Sequence, residues 1–257
     1  MRSTALVALL LLAGLGARIA CAQDALSAKL LAQGGIRVMA GDKLLATLSL
    51  NAHGLGWKHA DQPAATALIR DAEVGPAKTV EGSLPIPDTD GGALRYIETV
   101  TPAEKGFTVG YSLNYTKDMT LNGLQVSLLL PAEMFAGQAV VLRLPGEGGA
   151  ATRAVTVPLP EKLNGDKWQL ADGPAARIQI AAGTDNAITI APKLSTAREG
   201  AKADLPRFIV QDLRKWDQSV FEVRLVLIFD EKGKQVLAED KANTELSITF
   251  ARPLQWP

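Results

Sequence analysis

The chain has 257 residues, 47% of them apolar, and its 27 Lys and Arg balance 27 Asp and Glu to a formal net charge of zero. That much apolar material builds one large core or two small ones, and excludes a disordered, collagen-like or disulfide-dense scaffold. Charge neutrality removes any general attraction to nucleic acid or to an anionic membrane surface.

Residues 1–22 read as a secretory signal peptide. Arg2 supplies the positive end, Ala5 to Leu15 an apolar stretch too short to span a bilayer, and Ala20-Cys21-Ala22 a small-residue cleavage site. Cleavage leaves Gln23 first, in a secreted or periplasmic chain. The alternative is a lipid anchor on Cys21, against which stands Arg18, three residues before it, where such sites carry an aliphatic side chain. The segment contains two of the 27 basic residues and no acid, so its removal leaves 25 against 27, a net charge of −2. Cys21 is the only cysteine, and without it the chain has no thiolate nucleophile, disulfide or thiolate metal ligand. No later stretch approaches about 18 apolar residues, so no membrane span is expected after signal removal.

Ala25 to Gln33, closed by Gly34-Gly35, has the spacing of two helical turns with Gly at the C-terminal end. Beyond it the apolar period is two. Leu44 to Leu50 and Leu94 to Val100 alternate weakly, and Phe107, Val109, Tyr111, Leu113 and Tyr115 mark a clear half-buried strand. Leu124 to Leu130 follows, then one helical turn at Pro131 to Phe135. Val140 to Leu144, Val155 to Leu159, Ile178 to Ala182, Ile188 to Ile190 and Phe208 to Val210 continue the alternation. Phe221, Val223, Leu225, Leu227 and Phe229 form a second strong series whose end is apolar on both faces, which predicts a central strand; Leu246 to Phe250 comes last.

Turn residues punctuate the series at Gly41-Asp42, Gly91-Gly92, Asn122-Gly123, Gly148-Gly149, Asn164-Gly165, Asp172-Gly173-Pro174, Gly183 to Asn186 and Lys232 to Lys234. Neither helical segment is long enough to cross between parallel strands. The expected fold is therefore all-β: over residues 23–257, a large antiparallel β-sandwich of about twelve or more strands with at most one or two short helices. Residues 145–151, PGEGGAA, serve either as an internal boundary between two modules or as a loop in one sandwich. One sandwich is preferred, because the first part alone would make a thin core.

The chemistry available is limited. His53 and His59, the only histidines, lie in one Gly-containing segment with Asp61 and make a weak three-ligand metal candidate, since their spacing matches no compact zinc signature. No Gly-x-Ser-x-Gly elbow and no cofactor-binding glycine loop occurs, so no cofactor is expected. Glu98 shares its parity with Leu94, Tyr96 and Val100; a carboxylate on an apolar face must be paired, hydrogen-bonded or functional, or else lie at an edge open to water. It is the first suspect for a catalytic acid if the chain is a glycoside hydrolase. Glu222 beside Arg224 reads as a cross-strand salt bridge, and Asp212 and Asp217 as flanks of a charged hairpin end. Trp57, Trp168 and Trp216 fall in or beside loops, where their rings suit stacking on sugar with Asp61 and Asp217 taking hydroxyls; the plain alternative is that they are lids on the sandwich.

The stretch Phe107 to Gly137, a long amphipathic strand followed by Leu128-Leu129-Leu130-Pro131 and Phe135-Ala136-Gly137, resembles strand pairs of large secreted bacterial β-sandwich proteins of polysaccharide metabolism. Leu213 to Trp216 leading into Phe221 to Leu225 is similar to a late strand of such modules. The resemblance implies a sandwich and a carbohydrate setting, and carries no catalytic residue. The reading that follows is an exported, non-enzymatic β-sandwich that binds or organises a poly- or oligosaccharide at the cell envelope or outside the cell, with no nucleic-acid partner. Its alternatives are a carbohydrate-active enzyme using sheet carboxylates and a structural or protein-interaction module.

Overall fold

The computed structural model describes residues 25–71, 75–144, 153–193 and 205–257. The expected signal peptide with Cys21, and the expected boundary at 145–151, lie outside these residues. Eighteen strands among the described residues form two nine-stranded sheets. The first runs β12 (Gln169–Pro174), β15 (Arg207–Asp212), β16 (Val220–Val236), β9 (Met119–Pro131), β3 (Lys43–Gly54), β2 (Ile36–Ala40), β1 (Leu26–Leu30) and β18 (Leu254–Gln255). The short β4 (His59–Asp61) pairs with the part of β3 beyond the reach of β2. The second sheet runs β11 (Arg153–Pro158), β10 (Ala139–Leu144), β13 (Arg177–Ile180), β14 (Ile188–Pro192), β17 (Lys241–Phe250), β8 (Gly106–Tyr115), β7 (Ala93–Ala103), β6 (Lys78–Pro85) and β5 (Thr66–Asp71). Every pairing is antiparallel except that of β1 with β18.

Alternation explains the layers. Leu48 and Leu50 of β3, Val126 and Leu128 of β9, and Val223 and Leu225 of β16 point one way into the core; Val80, Leu94, Val109 and Ile248 meet them from the second sheet. Every alternating series named above falls on a strand, although Ile178 to Ala182 and Val155 to Leu159 run past the ends of theirs at Ile180 and Pro158, and Phe221 to Phe229 lies inside the first sheet between β15 and β9. The single turn after a strand is present as α1 (Ala132–Phe135).

Two local readings change. Ala25 to Gln33 forms β1 rather than a helix: Leu26, Ala28 and Leu30 fit period two as well as a helical stripe, and pairing with β2 and β18 decides between them. Asn122-Gly123, Asp172-Gly173-Pro174 and Lys232 to Lys234 sit inside β9, β12 and β16 rather than at turns. Around the first and last of these the β9–β16 register slips, between Phe229 and Lys234, so the turn-like residues mark an irregularity within long strands.

Candidate functional site

The face of the first sheet turned away from the core carries an unusual set of side chains. In register across β4, β3, β9 and β16 stand His59, His53, Gly123 and Phe229; the next row is Asp61, Asn51, Gln125 and Val226. A third row holds Ser49, Ser127, Arg224 and Ile209, and a fourth Leu129, Glu222 and Gln211. Ser49, Asn51, Gln125, Ser127, Gln211, Glu222 and Arg224 are all buried. Buried polar groups must find partners, and here they do so within the face. Ser127 Oγ donates to Glu222 Oε1 at 2.6 Å, Arg224 Nε and Nη2 both reach Glu222 Oε2, the first at 2.9 Å, and Arg224 Nη2 donates to Gln211 Oε1 at 2.7 Å. Glu222 and Arg224 are thus neighbours along one strand rather than across two.

Aromatic rings close one end of this face. After β3 the chain makes a 3-10 turn at Leu55–Trp57, and Trp57, at φ 62°, donates its backbone N–H to Asn122 Oδ1 at 3.2 Å. Asn122 Nδ2 in turn donates to the carbonyls of Asp230 and Glu231 in β16. So pinned, the Trp57 ring lies 5.5 Å from His53 and 5.2 Å from Phe229, centroid to centroid. Gly123 makes the approach achievable, because a β-carbon there would stand 3.1 Å from His53 Nδ1 and 3.4 Å from the Trp57 ring. His59 packs edge-on to His53 at 5.1 Å, and the Arg207 guanidinium, which is held by a two-pronged ion pair to Asp172, lies 4.7 Å over Phe229.

Burial, then the nearby His59 and Arg224, push the His53 imidazole down to about 4, against a weaker opposing pull from Gln125, whose Nε2 lies 3.5 Å from Nδ1. His53 is therefore neutral at physiological pH. Among the described residues no group of three or more His, Cys, Asp or Glu side chains is placed to hold a metal ion, so His53, His59 and Asp61 do not form a three-ligand set.

Of the residues singled out from sequence, Trp57 and Asp61 belong to this face with His53 and His59. Trp168, Trp216 and Asp217 do not. Trp216 ends the 3-10 turn Leu213–Trp216 before β16, whose first residue pairs with Pro131, so it lies at the opposite end of β9 from Trp57, roughly 30 Å away along the strand. There Trp216, exposed, packs edge-to-face on Trp168 with centroids 4.8 Å apart, and the Lys215 ammonium sits over both rings. Arg214 locks the turn by forking onto buried Asp212, capping the Pro160 and Glu161 carbonyls and stacking on Phe221. Asp217 follows in a left-handed conformation.

Glu98 lies elsewhere again. It is 0% exposed, inside the sandwich, so the water-open edge position is excluded. Gly35 N–H donates to both its oxygens, at 3.1 and 2.8 Å, and Gln62 Nε2 donates at 2.6 Å. Gln62 Oε1 accepts Leu50 N–H, and Tyr96 Oη donates to the Gln33 carbonyl, so this second-sheet carboxylate clasps the β1–β2 turn and β3 of the first. Burial pushes the carboxyl up to about 7, against the pull of Gly35, Gln62 and Tyr111. The Tyr111 hydroxyl is buried beside it without a hydrogen bond of good geometry, and burial pushes this phenol well up.

Sequence reasoning missed Ser49, Asn51, Gln125, Ser127, Gln211, Arg207 and Phe229. The signal was present: the outward parity of β3 and β9 reads Ser, Asn, His and Gln, Ser, where a solvated face would carry Lys and Glu.

No protein-family model matches the chain, and no curated protein sequence does. Solved structures do. A galactose mutarotase-like protein from Lactobacillus casei ATCC 334 superposes with a TM-score of 0.53 over 86% of this chain and 96% of its own, at 13% identity. The Slr1438 protein from Synechocystis sp. PCC 6803 gives 0.51 over 86% of this chain and 90% of its own, at 7% identity. The likeness is one of fold: the two-sheet sandwich described here is shared with these two structures.

Proposed function

We propose that the outward face of the first sheet binds carbohydrate without turning it over, and that the protein does so in the periplasm or outside the cell. The observation that carries this reading is the juxtaposition of the Trp57–Phe229 platform with His53, His59 and Asp61, the polar side chains of these rows that stay open to solvent above the buried Asn51, Gln125, Ser49 and Ser127. An aromatic face stacks on the apolar side of a pyranose while such groups exchange hydrogen bonds with its hydroxyls. Asp61, at the end of the second row, adds an acceptor. Trp168, Trp216 and Asp217 provide a separate rim contact for a longer glycan. The fold shared with a galactose mutarotase-like protein, and the resemblance of Phe107 to Gly137 to secreted polysaccharide modules, agree with this setting, although fold alone does not set function. The export of the chain rests on the reading of residues 1–22.

Binding is favoured over turnover because Glu222, Glu98 and His53 are each engaged or out of range. Glu222 accepts from Ser127 and Arg224, Glu98 is enclosed in the core, and His53 is far below the range in which a general base works at neutral pH. Titration with a panel of neutral and acidic oligo- and polysaccharides is expected to shift tryptophan fluorescence with no release of reducing ends. Trp57→Ala should weaken the affinity about tenfold or more. No fluorescence response across the panel, or any glycan product formed, would sink the reading.

A further inference from the structure

The four edges of the two sheets are not alike. Exposed sheet edges present unpaired N–H and C=O groups, and proteins guard them with Pro, Lys, bulges or very short strands. In the first sheet, β12 carries a register shift between Gln169 and Ala171 and ends in Gly173-Pro174, while β18 has two residues between Pro253 and Pro257. In the second, β11 opens on Arg153 and ends on Pro158. The remaining edge, β5, pairs with β6 through six consecutive positions without a shift, holds neither Pro nor Lys, and confines its charges to Arg70 and Asp71 at its end. It is also apolar where it is open: Leu68 is 56% and Ile69 39% exposed, and two strands inward in the same row Ile97 is 46% exposed.

We propose that β5 is a self-association edge, on which a second copy of this chain adds its own β5 antiparallel about a two-fold axis through Leu68. The sequence of the strand is self-complementary in that register. A two-fold axis normal to the sheet requires facing residues to share a face, so Leu68 meets Leu68 of the second copy, Ala67 meets Ile69 on the inner side, and Thr66 meets Arg70 on the outer. No like charges face each other, and Arg70 keeps its ion pair to Glu81 at 3.4 Å within its own copy. The pairing would join two sheets into one continuous layer, with Ile97, Glu81 and Leu68 of each copy running up to the axis. A shift of one residue would oppose inward to outward side chains, and a shift of two would set Leu68 against Arg70, so Leu68 is the favoured centre.

The test is sedimentation equilibrium from roughly 1 to 100 μM, the range suited to a small interface. The expected result is a mass rising from one copy toward two and no further. Leu68→Lys, which sets two ammonium groups together at the axis, should leave a monomer with an unchanged circular dichroism spectrum. In a Cys21→Ser background, Leu68→Cys should form an inter-chain disulfide on oxidation, because facing Cα atoms in an antiparallel pair stand about 4.5 to 5.5 Å apart. Arg70→Cys should not, being offset by four residues from its equivalent. A monomer at every concentration, as would follow if another segment of the same chain covered the edge, overturns the proposal. So does a dimer indifferent to Leu68→Lys, or equal cross-linking at positions 68 and 70.

Discussion

Replacing Glu98 by Gln is expected to give a protein whose unfolding free energy climbs by about 3 kcal/mol between pH 4 and 6.5, and His53→Gln one that loses about 3 kcal/mol between pH 4.5 and 7. The folded carboxyl of Glu98 holds its proton up to about 7, whereas the unfolded chain sheds it near 4.5. Its contribution is complete below the lower value and lost as pH rises through the upper. His53 behaves in the opposite sense: the unfolded imidazole takes a proton near 6.5 and the folded one only near 4, so its contribution is whole above 6.5 and lost as pH falls. Between 4.5 and 6.5 the slopes cancel, and from these two groups the parent protein shows a flat profile that each variant unmasks. Urea midpoints measured in half-unit pH steps read the effect directly. Parallel profiles for the parent and both variants would show that neither group is perturbed by its surroundings.

Gly34→Ala is expected to cost about 4 kcal/mol, against about 1 kcal/mol for Gly41→Ala. Both glycines have positive φ, at 81° and 63°, so both substitutions force an L side chain into a left-handed backbone. They differ in what surrounds them. Nothing lies within 4 Å of a β-carbon at Gly41, but one at Gly34 would fall 2.2 Å from Glu98 Oε2 and 2.3 Å from Gln62 Nε2. Those atoms are enclosed and already bonded to each other, so the methyl group can enter only by separating a buried carboxyl from its donors. Thermal unfolding of the two variants isolates the cost of that separation, and equal losses would mean that the clasp yields freely.

The fold was largely legible, because each face of a strand answers to one environment and alternation reports it. Where two periods fitted the same residues, as at Leu26, Ala28 and Leu30, only the pairing partner decided. Glu98 was legible as an inward carboxylate in need of partners. Its partners were not, since a backbone amide at Gly35 and a carboxamide at Gln62 leave no mark in the sequence that ties them to it. The three tryptophans looked equivalent from their loop positions. Which end of a strand a loop serves depends on chain direction within the sheet, and that direction separates Trp57 from Trp168 and Trp216. The outward face of β3 and β9 went unread because single Ser, Asn and Gln residues look ordinary until register lines them up.

The parallel pairing of β18 with β1, Leu254 beside Leu26, has a kinetic consequence. Residues 26 to 255 must all have left the ribosome before that ladder can close. Synthesis alone cannot finish the first sheet from one side, and a nascent chain keeps the outer edge of β1 open until Leu254 and Gln255 emerge. Until β18 docks, that open edge presents unpaired N–H and C=O groups on which a foreign strand can pair.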